Sequence, residues 1–90
     1  MAIQINLHKT HRQYTNDKET IDVEGKTVGE CLKDLVRQYP LLGKEIFDKK
    51  GKLSAIMEVY LNGKSAFPDE LRKPVKDGDK IQLIYFLAGG

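Results

Sequence analysis

Only a few side chains in this sequence of 90 residues have the chemistry to act on another molecule. His8 and His11 stand three apart, but zinc takes about four ligands and no second ligand pair accompanies them. They read as two solvated loop histidines, and no metal site is expected. Cys31 shares an apolar helical stripe with Val28 and Leu32, which suits a small core residue better than a nucleophile. Lys49, Lys50 and Lys52 cluster beside Asp48 in a turn and read as a solvated loop. Neither a Ser/His/Asp spacing, nor a Walker loop, nor a glycine-rich nucleotide fingerprint is present, so no bound cofactor is expected. What remains is the end of the sequence, where an apolar strand runs directly into Leu87-Ala88-Gly89-Gly90.

The rest of the chain must position that end. With 40% hydrophobic and 31% charged residues the composition is that of one small globular domain. A net charge of +2 is too small for nucleic-acid binding by bulk electrostatics. The longest apolar run, Leu83 to Ala88, is far short of the ~20 residues of a membrane helix. A single cysteine cannot form an internal disulfide, which fits a cytoplasmic protein. The expected organisation is a folded unit over residues 1–87 and a flexible tail over 88–90.

Ile3, Ile5 and Leu7 alternate with Gln4 and Asn6, the period of a half-buried strand. Ile21 and Val23 repeat the pattern after a polar stretch from His8 to Glu19, which predicts a β-hairpin with a long, mobile connection. Thr27-Val28-Gly29-Glu30 is a capping box: the Thr27 hydroxyl accepts from the Glu30 N–H, and the Glu30 carboxylate reaches back to the Thr27 N–H. Val28, Cys31, Leu32, Leu35, Val36 and Tyr39 then form one stripe of an amphipathic helix, which Pro40 ends. Leu41 to Phe47 is a connection with room for one helical turn. Met57 to Leu61 reads as a strand closed by the tight turn Asn62-Gly63. Pro68 to Leu71 reads as one helical turn, Asp77-Gly78-Asp79 as a second tight turn, and Ile81 to Leu87 as a strand with both faces at least partly covered, in the sheet centre or at a partner. The last strand is the most apolar and belongs in the centre, beside the first. The fold predicted is α+β: a mixed sheet of four to five strands packed on one main helix, the ubiquitin-like β-grasp.

Several segments resemble the MoaD/ThiS family of ubiquitin-like sulfur carriers. They are Lys26-Thr27-Val28-Gly29-Glu30-Cys31-Leu32 with Tyr39-Pro40, then Val59-Tyr60-Leu61-Asn62-Gly63, then Pro74-Val75-Lys76-Asp77-Gly78-Asp79, and the terminal Ala88-Gly89-Gly90. The resemblance implies that Gly90 is the reactive residue, with Gly89 and Ala88 forming the tail. A carboxylate with a reference pKa of ~3.3–3.7 is ionised at neutral pH and is a poor acyl acceptor, so it needs activation. In the family an ATP-using adenylyltransferase of the ubiquitin-activating type supplies this, and a sulfur donor then makes the thiocarboxylate. The carrier passes its sulfur to an acceptor synthase, of which it can be the small subunit. Some members first meet a trimming metalloprotease. Glycine suits such a tail because it lacks a Cβ and threads a narrow channel. Three residues at about 3.3 Å each give it a reach of ~10 Å.

Strand parity places Gln82, Ile84 and Phe86 opposite the helix-facing Ile81 and Leu83, and turns Tyr60 the same way. The expected partner-binding surface is an exposed apolar patch of Tyr60, Ile84 and Phe86, with Leu87 beside it. Molybdopterin-synthase small subunits often carry prolines before the diglycine, where this chain has Tyr85-Phe86-Leu87-Ala88. Thiazole-pathway carriers resemble it in an aromatic near the end but are typically shorter, without the Leu41–Leu53 extension, and carriers for cysteine or homocysteine synthesis resemble it in length. Molybdopterin, sulfur amino acids and thiamine thiazole all stay open as recipients, the first two favoured in that order. The alternative is a ubiquitin-like modifier, conjugated to lysines through Gly90. Either way the protein is a co-substrate rather than an enzyme.

Overall fold

The computed structural model describes residues 3–85, with the backbone alone at residues 9 and 10. Strand β1 (Ile3–Leu7) buries Ile3, Ile5 and Leu7, and β2 (Thr20–Val23) buries Ile21 and Val23. Helix α1 (Val28–Gln38) follows, then α2 (Gly43–Ile46), β3 (Met57–Leu61), β4 (Lys64–Ser65) and β5 (Lys80–Tyr85). The sheet order is β2-β1-β5-β3-β4. β1 and β5 run parallel, pairing Ile5 with Ile81 and Leu7 with Leu83, while the other pairs are antiparallel. This is the predicted β-grasp. Its last strand does take the central slot, flanked by β1 and β3.

The core lies between the sheet and α1, whose Val28, Cys31, Leu32 and Leu35 are buried. The far side of the helix is tied down by polar bonds. Asp34 accepts from the Glu24 N–H at 3.0 Å and from Arg37 Nε at 2.9 Å, and Gln38 Nε2 donates to the Asp22 carbonyl at 2.9 Å. Desolvation alone would raise the Asp34 carboxyl, but the bonds to Arg37, the Glu24 N–H and Gln38, together with the Arg37 charge, hold it below its ordinary range.

The cap differs from the expectation in one atom. Thr27 Oγ1 accepts from the Glu30 N–H at 3.2 Å, but the Glu30 carboxylate takes the N–H of Lys26, at 2.9 Å, not that of Thr27. Downstream, Thr27 bridges Pro74, with Val28 N–H donating to the Lys73 carbonyl and Val75 N–H to the Lys26 carbonyl. Proline has no N–H to offer, so the bridge is bonded through its neighbours. The helical turn expected at Pro68–Leu71 is a 3-10 helix at Glu70–Arg72 packed on α1. There Gly29 is required by closeness, since a Cβ on it would lie 2.9 Å from the Leu71 carbonyl oxygen.

Two connections are more ordered than their polarity suggested. His8–Glu19, expected as a mobile link, folds into a 3-10 helix over Lys9–Thr15. It inserts His11 and Thr15 into the interior. The Leu41–Leu53 extension likewise lends Leu42 and Ile46 to the core, and Phe47 bridges Leu53.

Candidate functional site

The site is assembled around the carboxyl end of β5. Ile81 and Leu83 face α1 and are buried, so parity places Gln82 and Ile84 on the opposite face, as the sequence implied. Tyr60 pairs with Gln82 and Glu58 with Ile84, which makes Tyr60 and Ile84 diagonal neighbours on that face. Both are half-buried rather than exposed, and the positions around them are Asn6, Glu58, Lys80 and Gln82. The described part of the predicted patch is therefore two apolar side chains in a polar frame. Phe86, Leu87, Ala88, Gly89 and Gly90 lie outside the described residues. The 3-10 helix at Glu70–Arg72 sits against α1, on the other side of the sheet from this face.

Tyr85, the last described residue, is held from two sides. Across the sheet it pairs with Met57, and the ring of His11 meets it edge-on, with centroids 5.0 Å apart at 81°. The base of the tail is thereby fixed by a contact from the opposite end of the chain. His11 is 2% exposed, which corrects the expectation of two solvated loop histidines; His8 is half-buried. Tyr14 stacks on the other flank of His11, and Glu45 Oε1 lies 3.5 Å from Nε2, while Nδ1 is buried without a hydrogen-bond partner. Burial lowers the His11 pKa more than Glu45 raises it, and His8 adds to the lowering. The ring is neutral at neutral pH. Sequence reasoning missed this cluster because nothing local marks His11, Glu45 and Tyr85 as neighbours.

At the other end of β5, two predicted turns are joined. Asn62 and Gly63 have φ of 51° and 83°, the paired positive values of a type I′ turn. Asn62 Nδ2 donates to Asp79 Oδ1 at 3.0 Å, and Asn62 Oδ1 accepts from the Lys80 N–H at 2.9 Å. Asp79 Oδ2 accepts from the Lys76 N–H, and the Asn62 bond followed by this one holds its carboxyl below the ordinary range. These bonds fix where β5 begins.

The remaining reactive groups are sequestered. Cys31 is fully buried, and burial, reinforced by Asp34, Glu30 and Asp79, pushes its thiol up to about 11. Among the described residues no group of three His, Cys, Asp or Glu could hold a metal ion.

A five-stranded mixed sheet with its last strand at the centre and one helix packed across it define a protein of the ubiquitin-like class. The model of the ThiS family matches residues 5–90, and the chain belongs to that family. It is 25% identical to the sulfur carrier protein CysO of Mycobacterium tuberculosis over 93 residues, covering all of both chains. Among solved structures it is similar to a chain of the Amycolatopsis orientalis BexX/CysO complex, with a TM-score of 0.86 and 28% identity over 99% of this chain and 100% of that one. It is similar also to SAMP1 of Haloferax volcanii, with a TM-score of 0.83 and 28% identity over 100% of both chains.

Proposed function

We propose that the protein is a sulfur carrier, a co-substrate whose reagent is the carboxyl group of Gly90. The observation that carries this reading is the family match, which runs through residue 90 and so includes Ala88-Gly89-Gly90 beyond a firmly anchored central strand. In the reaction a carboxylate oxygen of Gly90 attacks the α-phosphorus of ATP on an activating enzyme, and pyrophosphate leaves. The resulting acyl-adenylate is a mixed anhydride with AMP as its leaving group. A donor then delivers sulfur to the carbonyl carbon, AMP departs, and Gly90 ends in a thiocarboxylate. This sulfur is a nucleophile that an acceptor synthase can use, and the carboxylate is regenerated after transfer.

Acceptors of the sulfur amino acid type, in cysteine or homocysteine synthesis, are favoured over molybdopterin. End-to-end similarity to CysO chains and the absence of prolines before the diglycine support this choice. That a CysO chain is seen in complex with BexX supports docking of such a carrier to a partner protein, which in this reading is an acceptor synthase. We place the protein in the cytoplasm; no helix among the described residues is long and apolar enough to cross a membrane. A second reading, conjugation of Gly90 to lysines, draws on the likeness to SAMP1, a small archaeal modifier protein.

The adenylation step is tested by pyrophosphate exchange into ATP on a cognate activating enzyme. The account expects exchange that depends on this chain and is abolished by deleting Gly89 and Gly90. Exchange that survives the deletion contradicts it.

A further inference from the structure

β3 is covered on one side along its whole length by β5, but on the other side only at its end. β4 pairs Tyr60 with Ser65 and Leu61 with Lys64, and the last bond on that side runs from the Ala66 N–H to the Val59 carbonyl at 2.9 Å. The chain then turns out at Phe67, which is 74% exposed. Antiparallel pairing alternates. The Asn62 N–H bond to the Lys80 carbonyl puts Tyr60 and Glu58 in the pairs bonded to β5. Met57 and Val59 therefore turn their backbone groups the other way. The Met57 N–H is taken by Ser54 and the Val59 carbonyl by Ala66, which leaves the Met57 carbonyl and the Val59 N–H facing this side.

A cleft of about 500 Å³ opens along the same edge. Leu53, Met57, Val59 and Phe67 supply its apolar lining, and its charged members, Glu58 and Glu70, are both acidic. Neither carboxylate has an ion-pair or hydrogen-bond partner among the described residues. In a chain of net charge +2 this is a locally negative, partly apolar strand edge.

We propose that this edge is a docking strand for an extended segment of a partner protein, one carrying a lysine or arginine between apolar residues. Strand addition satisfies the free backbone groups; alternate apolar side chains enter the cleft, and the cation between them turns to the opposite face of the sheet, beside Glu58. The edge is the side of β3 turned away from β5. The inference does not depend on the sulfur chemistry.

The test uses a blocked pentapeptide, Thr-Val-Lys-Val-Thr, titrated to millimolar concentration into the ¹⁵N-labelled full chain, with a twin carrying glutamate in place of lysine. The expected result is amide shifts centred on Met57, Val59, Ser65 and Phe67, with the glutamate twin binding at least tenfold more weakly. The variant Glu58→Gln, checked for a native spectrum, should lose the preference for lysine. Removal of Gly89 and Gly90 should leave binding unchanged. Three results overturn the proposal: no shifts at these amides, equal binding of the twins, or the same shifts on raising protein concentration alone, which would make the occupant a second copy.

Discussion

Burial keeps the His11 imidazole neutral, and this has a solution consequence. Its folded pKa lies below the ordinary 6.5, so as pH falls the unfolded chain takes up the proton first. Stability should therefore decline as pH drops from about 7 through 6.5 and toward the lower folded value. Denaturant midpoints across that range should show the slope in the natural chain, while His11→Leu should flatten it. A slope unchanged in the variant would assign it to other groups. Cys31 gives a second test at this scale. With a thiol raised to about 11 inside the core, it should resist alkylation until the chain unfolds. Cys31→Ser puts a hydroxyl among apolar neighbours and should cost about 1–3 kcal/mol of stability. Sulfur loading of the folded variant should be unaffected, as mass measurement can check.

Among the elements, the cap and the paired turns do most to set where the central strand starts and how the helix lies. Gly29→Ala gains helix propensity of up to ~1 kcal/mol. It also drives a Cβ to 2.9 Å from the Leu71 oxygen, and the overpacking should win, for a net loss of about 1–2 kcal/mol in a denaturant titration. Asp79 is held ionised by Asn62 and the Lys76 N–H. Its contribution is complete above the ordinary 3.8 and is lost as pH falls through the lower folded value, so Asp79→Asn should make acid unfolding less steep. The helix, the hairpin turn and the central last strand were legible in the sequence because each rests on a local signal: period 3.6, Asn-Gly, and a continuous apolar run. His11, Leu42 and Ile46 were not, since their burial comes from contacts made across the chain. Glu30 illustrates the same limit on a smaller scale, its carboxylate taking the Lys26 N–H, one residue from the expected one.

For the whole molecule, the fold reads as a handle whose working group lies beyond β5. The described residues explain how that group is carried: a strand bonded on both sides, a tail base gripped by His11, and reactive side chains kept inside. The proposed site at Gly90 lies outside the described residues and rests on the resemblance of several ordered segments, because a diglycine alone carries little information. The partner face was half legible, since parity set the directions of Tyr60 and Ile84 but not the polar frame around them. The most direct measurement is the intact mass of the chain before and after incubation with a cognate activating enzyme, ATP and a sulfur donor. The account predicts a gain equal to the exchange of one oxygen for sulfur, localised by fragmentation to Gly90. An unchanged mass with an enzyme that is competent for pyrophosphate exchange would contradict it, and lysine-linked products without any thiocarboxylate would establish the modifier instead.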